Sequence, residues 1–112
     1  DLGAARFVKL KLMKLGGLAR LETALRLIRA LGMQPVLGNG VACELGCWME
    51  ACVARTTIDN AGEMNGYLKP SRNLLASPIA TQHGAMLLEP DFAPALDRDA
   101  LAAVRIDHRL HS

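Results

Sequence analysis

Long apolar runs are missing from this 112-residue chain. No stretch of about 18 apolar residues occurs, so no membrane-spanning helix is expected. No single sign of charge dominates. Thirteen Lys and Arg stand against eleven Asp and Glu, a formal +2, with both signs mixed along the chain. That pattern reads as a solvated surface and argues against the clustered basic face of a nucleic-acid binder. Cysteine is scarce and odd in number: Cys43, Cys47 and Cys52 are crowded into one stretch. An odd count without a spaced framework argues against a disulfide scaffold. With no Cys-x-x-Cys pair and no nearby histidine, a four-ligand zinc set is lacking too. The thiols read as small buried apolar residues in a reducing, cytoplasmic setting. The opening, DLGAARFVK, lacks a basic region followed by an apolar core, so no signal peptide is expected. What remains is 51% hydrophobic, 21% charged and only 4% aromatic, a composition that fits one small globular domain.

Residues 6–13, RFVKLKLM, alternate and predict a strand, which Gly16 and Gly17 break. Leu18, Leu21, Leu25, Ile28 and Leu31 then recur at three- and four-residue spacing, the apolar face of a helix. Gly32 follows where a left-handed residue would stop that helix. Residues 35–37 predict a short buried strand, closed by Gly38, Asn39 and Gly40. Strand, helix and strand with short connections make a βαβ unit, with parallel strands and a right-handed crossover. A second helix is predicted over 44–55, with Leu45, Trp48, Met49 and Cys52 on its inner face. A third short strand is predicted from Thr57, Ile58 and Asp59. This β-α-β-α-β order suits an α/β barrel or a doubly wound sheet. From residue 67 to 99 come four of the five prolines. Only a weak strand signal at 85–88 and a helix over 97–107, capped by Asp97, stand out there. A boundary at 66–71 would divide a βα unit, 1–66, from an irregular extension, 67–112.

Lysines in the first strand need a reason, because parallel strands are usually covered on both faces and a buried ammonium is costly. Phe7, Lys9, Lys11 and Met13 share one side of a strand; Val8, Leu10 and Leu12 share the other. Either this is an edge strand whose lysines reach solvent, or Lys9 and Lys11 face a barrel interior. In the second case Lys11, at the C-terminal end of the strand, points into an active site. Burial and nearby carboxylates can tune such an amine to act as general base and, once protonated, as general acid.

The run Lys11-Leu12-Met13-Lys14-Leu15-Gly16-Gly17, followed by an amphipathic helix, a strand and a Gly-Asn-Gly turn, resembles the enolase superfamily. More narrowly it resembles the muconate-lactonizing-enzyme subgroup, whose sixth barrel strand ends in Lys-x-x-Lys-x-Gly-Gly. The resemblance covers residues 4–60 well and the remainder loosely. It implies the C-terminal part of a TIM-type (β/α) barrel: strands six to eight within 1–66, then an extension toward the capping domain. It also implies that Lys11 is catalytic and that Lys14 lies past the strand end. Gly38, Asn39 and Gly40 fall where the family's seventh-strand turn approaches substrate carboxylates, although Asn39 replaces a serine and Ala42 an acid. Backbone N–H groups there can attract an anion, or the three residues simply turn the chain. Asp59 stands where dipeptide epimerases begin an Asp-x-Asp pair, but Ala61 replaces the second acid. Glu63 then either supplies the substrate-binding carboxylate or is a solvated loop acid.

What the resemblance implies chemically is abstraction of a proton next to a carboxylate, with a divalent metal, usually Mg2+, stabilising the enediolate. A racemase or epimerase of an amino-acid-like carboxylate is expected, with a cycloisomerase or dehydratase of the same superfamily as the alternative. No histidine lies in residues 33–42, which separates the chain from the mandelate-racemase-like subgroup; His83, His108 and His111 fall in the extension. The family's metal carboxylates and second catalytic lysine would precede Asp1, since a complete barrel needs roughly 250 residues. The chain is therefore expected to be a C-terminal part, inactive alone and homo-oligomeric at full length. A non-catalytic βα module binding anions at Gly38–Gly40 is the reading from another class.

Overall fold

The computed structural model describes residues 5–38 and 42–106. Its first strand, β1 (Phe7–Leu10), lies parallel to β2 (Gln34–Leu37), in a register running from Phe7 opposite Gln34 to Leu10 opposite Leu37. Two helices connect them: a single turn, α1 (Leu12–Leu15), and α2 (Leu18–Ala30). Leu21 and Leu25 of α2 are fully buried, Ile28 nearly so, and Leu18 half-buried, while Leu31 lies past the helix end and is exposed. The helix stops as its glycine predicts. Gly32 sits at φ 78° and donates to the Arg29 carbonyl at 2.9 Å, and Met33 donates to the Ile28 carbonyl at 3.1 Å. Both bonds are those of a Schellman ending.

The strand predicted over 6–13 ends early, at Leu10. Lys11 keeps extended backbone, and the chain then turns through α1 to Gly16 at φ 74°. The reason lies in packing. Leu10, Leu12 and Leu15 all touch the core built from Leu21, Leu25, Leu37 and Ala54. A continued strand would send Leu12 and Leu15 to opposite faces, whereas one helical turn brings both inward. Each fully buried leucine of that core contributes about 1.5–3 kcal/mol by leaving water.

After β2, the helix α3 (Glu44–Thr57) forms as predicted and runs two residues further. Its inner face is not the large apolar stripe. Glu44, Cys47, Glu50, Ala51, Ala54 and Thr57 are buried, while Leu45, Trp48, Met49 and Cys52 are half-buried. The strand predicted from Thr57 does not begin there, because Thr57 is still helical and Ile58 N–H still bonds the Ala54 carbonyl at 3.0 Å. The third parallel contact is instead one bridge, Gly38 to Glu63, with Glu63 N–H on the Leu37 carbonyl at 2.9 Å. On that side of β2, Pro35 has no N–H to offer, which removes a rung toward the start of the strand.

The extension crosses a 3-10 turn at Gly66–Leu68 and a two-residue hairpin, β3 (Thr81–Gln82) with β4 (Ala85–Met86). His83 and Gly84 turn that hairpin with φ of 51° and 77°, the mirror-image turn that matches strand twist. Leu75 then bridges Leu96 antiparallel, and α4 (Arg98–Ala103) starts at Asp97, whose carboxylate accepts from Asp99 N–H at 3.0 Å and Ala100 N–H at 2.9 Å. The predicted cap is in place on a shorter helix. Glu44 fastens this extension to α3: its carboxylate accepts from Leu74 N–H at 2.8 Å. Trp48 adds a tilted ring contact with Phe92, 6.1 Å between centroids. The described residues thus form a mixed α/β fold with small parallel and antiparallel sheets. No helix among them is long and apolar enough to cross a membrane.

Candidate functional site

The C-terminal ends of β1 and β2 and the bridge at Glu63 meet around Gly38. Lys9 and Lys11 lie on one side of β1, as alternation requires, and Lys9 forms an ion pair and hydrogen bond with the Glu63 carboxylate. The geometry explains the glycine. A Cβ on Gly38 would stand 2.7 Å from Lys9 Cε, 3.3 Å from its Nζ and 3.3 Å from Glu63 Cβ. Its φ is not left-handed, so the space above it, rather than backbone freedom, is what glycine provides. Lys9 crosses the end of β2 through that space.

The Lys9 hydrogen bond and charge hold the Glu63 carboxyl below the usual carboxylate range, with the charge of Lys11 adding to the effect and slight burial opposing it. Lys11 is half-buried, and its ammonium makes no hydrogen bond among the described residues. Two ammonium groups thus face the Glu63 carboxylate. Lys11 stays outside the Lys9–Glu63 ion pair, which leaves it uncommitted for proton transfer.

Glu50 reaches this site from α3, although sequence reasoning missed it. It is 2% exposed, and its Oε1 accepts from Leu12 N–H at 3.3 Å. Lys11 stands at the N-cap of α1 with no side-chain cap of its own. A carboxylate 38 residues from Leu12 in sequence therefore fixes the turn directly after Lys11. The available signal was the second helical stripe, 44, 47, 50, 51 and 54, whose small residues are buried and carry two acids inward with them.

Asp59 is not brought to this cluster. It pairs with Arg29 at 2.7 Å and shares a shallow pocket with Arg6, Gln34 and Pro35, at the N-terminal ends of the strands. Four residues of β2 and its end separate that region from Gly38, about 13 Å at strand rise. Arg29 also donates to the Thr57 carbonyl at 3.1 Å, so it ties the last turn of α2 to the C-terminal end of α3. Lys14 is exposed on α1, and His83 is exposed at the hairpin turn. Asn39, Gly40, His108 and His111 lie outside the described residues.

All three thiols are free, with Cys47 buried and Cys43 and Cys52 half-buried. Burial pushes the Cys52 thiol up, and the nearby Arg55 charge partly offsets this. That is the environment of a packing residue rather than of a reactive thiolate. Among the described residues, no three His, Cys, Asp or Glu side chains come together to hold a metal ion. Comparison with protein-family models and with curated proteins found no match.

Proposed function

We propose that this chain is the C-terminal part of an enolase-superfamily (β/α) barrel of the muconate-lactonizing-enzyme-like subgroup, in which Lys11 moves a proton next to a substrate carboxylate. The observation that carries the reading is the meeting of Lys9, Lys11 and Glu63 at the C-terminal ends of parallel segments that lie side by side in chain order. Barrel enzymes place their chemistry at that end. The Lys11-to-Gly17 pattern supplies the family.

In this reading Glu63 neutralises Lys9 and leaves Lys11 as the acid/base group. As an amine Lys11 takes the α-proton; as an ammonium it returns one. A second base on the opposite face of the carbon completes a racemase or epimerase. Magnesium, the metal of the family, supplies charge for the enediolate when bound. The described residues do not by themselves form its site, so its ligands belong to other strands of a complete barrel. A homo-oligomer in the cytoplasm completes the proposal, and the three free thiols fit a reducing compartment.

The test is Lys11→Ala in the full-length enzyme, followed by α-proton exchange of candidate amino-acid-derived carboxylates in deuterated solvent. Exchange is expected to vanish while the circular dichroism spectrum is retained; exchange at the wild-type rate would overturn the assignment. Loss of water or ring closure in place of inversion would identify a dehydratase or cycloisomerase. No magnesium binding by calorimetry, together with no Lys11 phenotype, would leave the anion-binding βα module.

A further inference from the structure

Glu63 turns its side chain toward Lys9, while its neighbours Gly62 and Met64 line a separate cleft of about 450 Å3. That volume lies within the range of small-molecule sites, roughly 300–1,000 Å3. Its floor is apolar: Ala51 and Ala54 of α3, with Ile58 and Met64 beyond the helix end. Arg55 and Asn60 stand on its walls, beside Asp59, Asn65 and Tyr67. Arg55, in the last turn of α3, is exposed and has no ion pair among the described residues, unlike Arg26 and Arg29, which are matched by Glu22 and Asp59. Asn60 also lines the cleft, and its buried Oδ1 has no hydrogen-bond partner among the described residues. A buried amide oxygen left unpaired is costly, and a small turn of the side chain toward a donor in the cleft would satisfy it. Asp59 is at the rim as well, but its charge is already met by Arg29.

We propose that this cleft binds a small monocarboxylate with an apolar body and a neighbouring hydrogen-bond donor. The carboxylate pairs with Arg55, whose planar guanidinium suits two-point recognition. The apolar body lies on Ala51, Ala54 and Ile58, and the donor meets Asn60. The proposal does not depend on the enzyme reading, because the cleft shares no residue with the Lys9, Lys11 and Glu63 cluster.

A suitable probe is 3-phenyllactate, titrated into the isotopically labelled 112-residue chain and followed by NMR. Saturable shifts are expected at the methyl groups of Ala51, Ala54, Ile58 and Met64, with dissociation constants of about a millimolar for a ligand of that size. Arg55→Gln is expected to weaken binding about tenfold, as is replacing the probe by the uncharged 3-phenyl-1,2-propanediol. Arg72→Gln, an equal change of charge at another exposed arginine, is expected to bind like the parent chain. Absence of saturable shifts up to roughly 10 mM probe, shifts centred on Lys9 and Lys11, or equal affinity in Arg55→Gln would each overturn the proposal.

Discussion

Replacing Gly38 by alanine tests the geometry of the lysine cluster directly. The added methyl would stand 2.7 Å from Lys9 Cε, so Lys9 must retreat by about 1 Å to ordinary van der Waals distance. The obstacle is the far end of a flexible, 43% exposed side chain, and it can swing into solvent. Because Gly38 is not left-handed, alanine also removes disorder from the unfolded chain, a gain of about 0.4–1 kcal/mol where the backbone fits. Two opposed effects follow, and pH separates them. The folded Glu63 carboxyl is depressed, so its contribution to stability is fully present above the unfolded value, about 4.3. It is lost as pH falls through the depressed folded value. In acid, once pH has fallen through that folded value, Gly38→Ala should therefore approach the full backbone gain relative to the parent, and at neutral pH less of it. Urea denaturation at the two pH values measures this. NMR titration of the Glu63 carboxyl should show its midpoint moving up toward the ordinary range in the variant. In a Lys9→Met background, Gly38→Ala should leave that midpoint unchanged. A loss above about 2 kcal/mol at both pH values would mean that alanine meets something stiffer than Lys9. An unmoved Glu63 titration would mean that Lys9 does not cross Gly38.

Other consequences are as direct. Glu50→Ala should orphan Leu12 N–H, cost about 1–3 kcal/mol, and speed amide exchange at Gly16, whose N–H closes α1 on the Leu12 carbonyl; unchanged exchange would remove Glu50 from that role. Leu25→Ala, at a fully buried position, should cost about 2–5 kcal/mol in urea denaturation, and a loss below about 1 kcal/mol would contradict its place in the core. Cys52 should react with iodoacetamide more slowly at pH 8 than a free cysteine does, and Arg55→Gln should slow it further by removing the charge that lowers its pKa; an accelerated reaction would reverse the assigned causes.

The parts of this fold that could be read from sequence are those fixed by neighbours in sequence. Leu21, Leu25 and Ile28 mark the inner face of α2 by spacing alone, and Gly32 marks its end because a left-handed residue is needed there. Asp97 caps α4 for an equally local reason. What escaped reading depends on residues far apart. The strand that alternation extends to Met13 stops at Leu10, because α1 packs Leu12 and Leu15 inward and Glu50 holds the Leu12 N–H. On α3, size misled: the large residues form one stripe, but the buried stripe is Cys47, Ala51 and Ala54, with Glu44 and Glu50 carried in beside them. For the site, Lys11 and Glu63 come to the same strand ends, while Asp59 belongs to Arg29 at the other end. Lys9 had no evident purpose in sequence, since its reach depends on an opening over Gly38 and on a partner 54 positions away.

That separation has a kinetic meaning. Helices α2 and α3 can form from local contacts, and β1 can find β2 once α2 has folded back between them. Glu63 can take its place only after β2 and α3 are both laid down, because its N–H needs the Leu37 carbonyl and its carboxylate needs Lys9 at the far side of β2. Closing contacts of such long sequence separation is the slow part of folding. The cluster around Gly38 is therefore expected to assemble after α2, and in a pulsed hydrogen-exchange experiment the Glu63 amide should gain protection after the amides of α2.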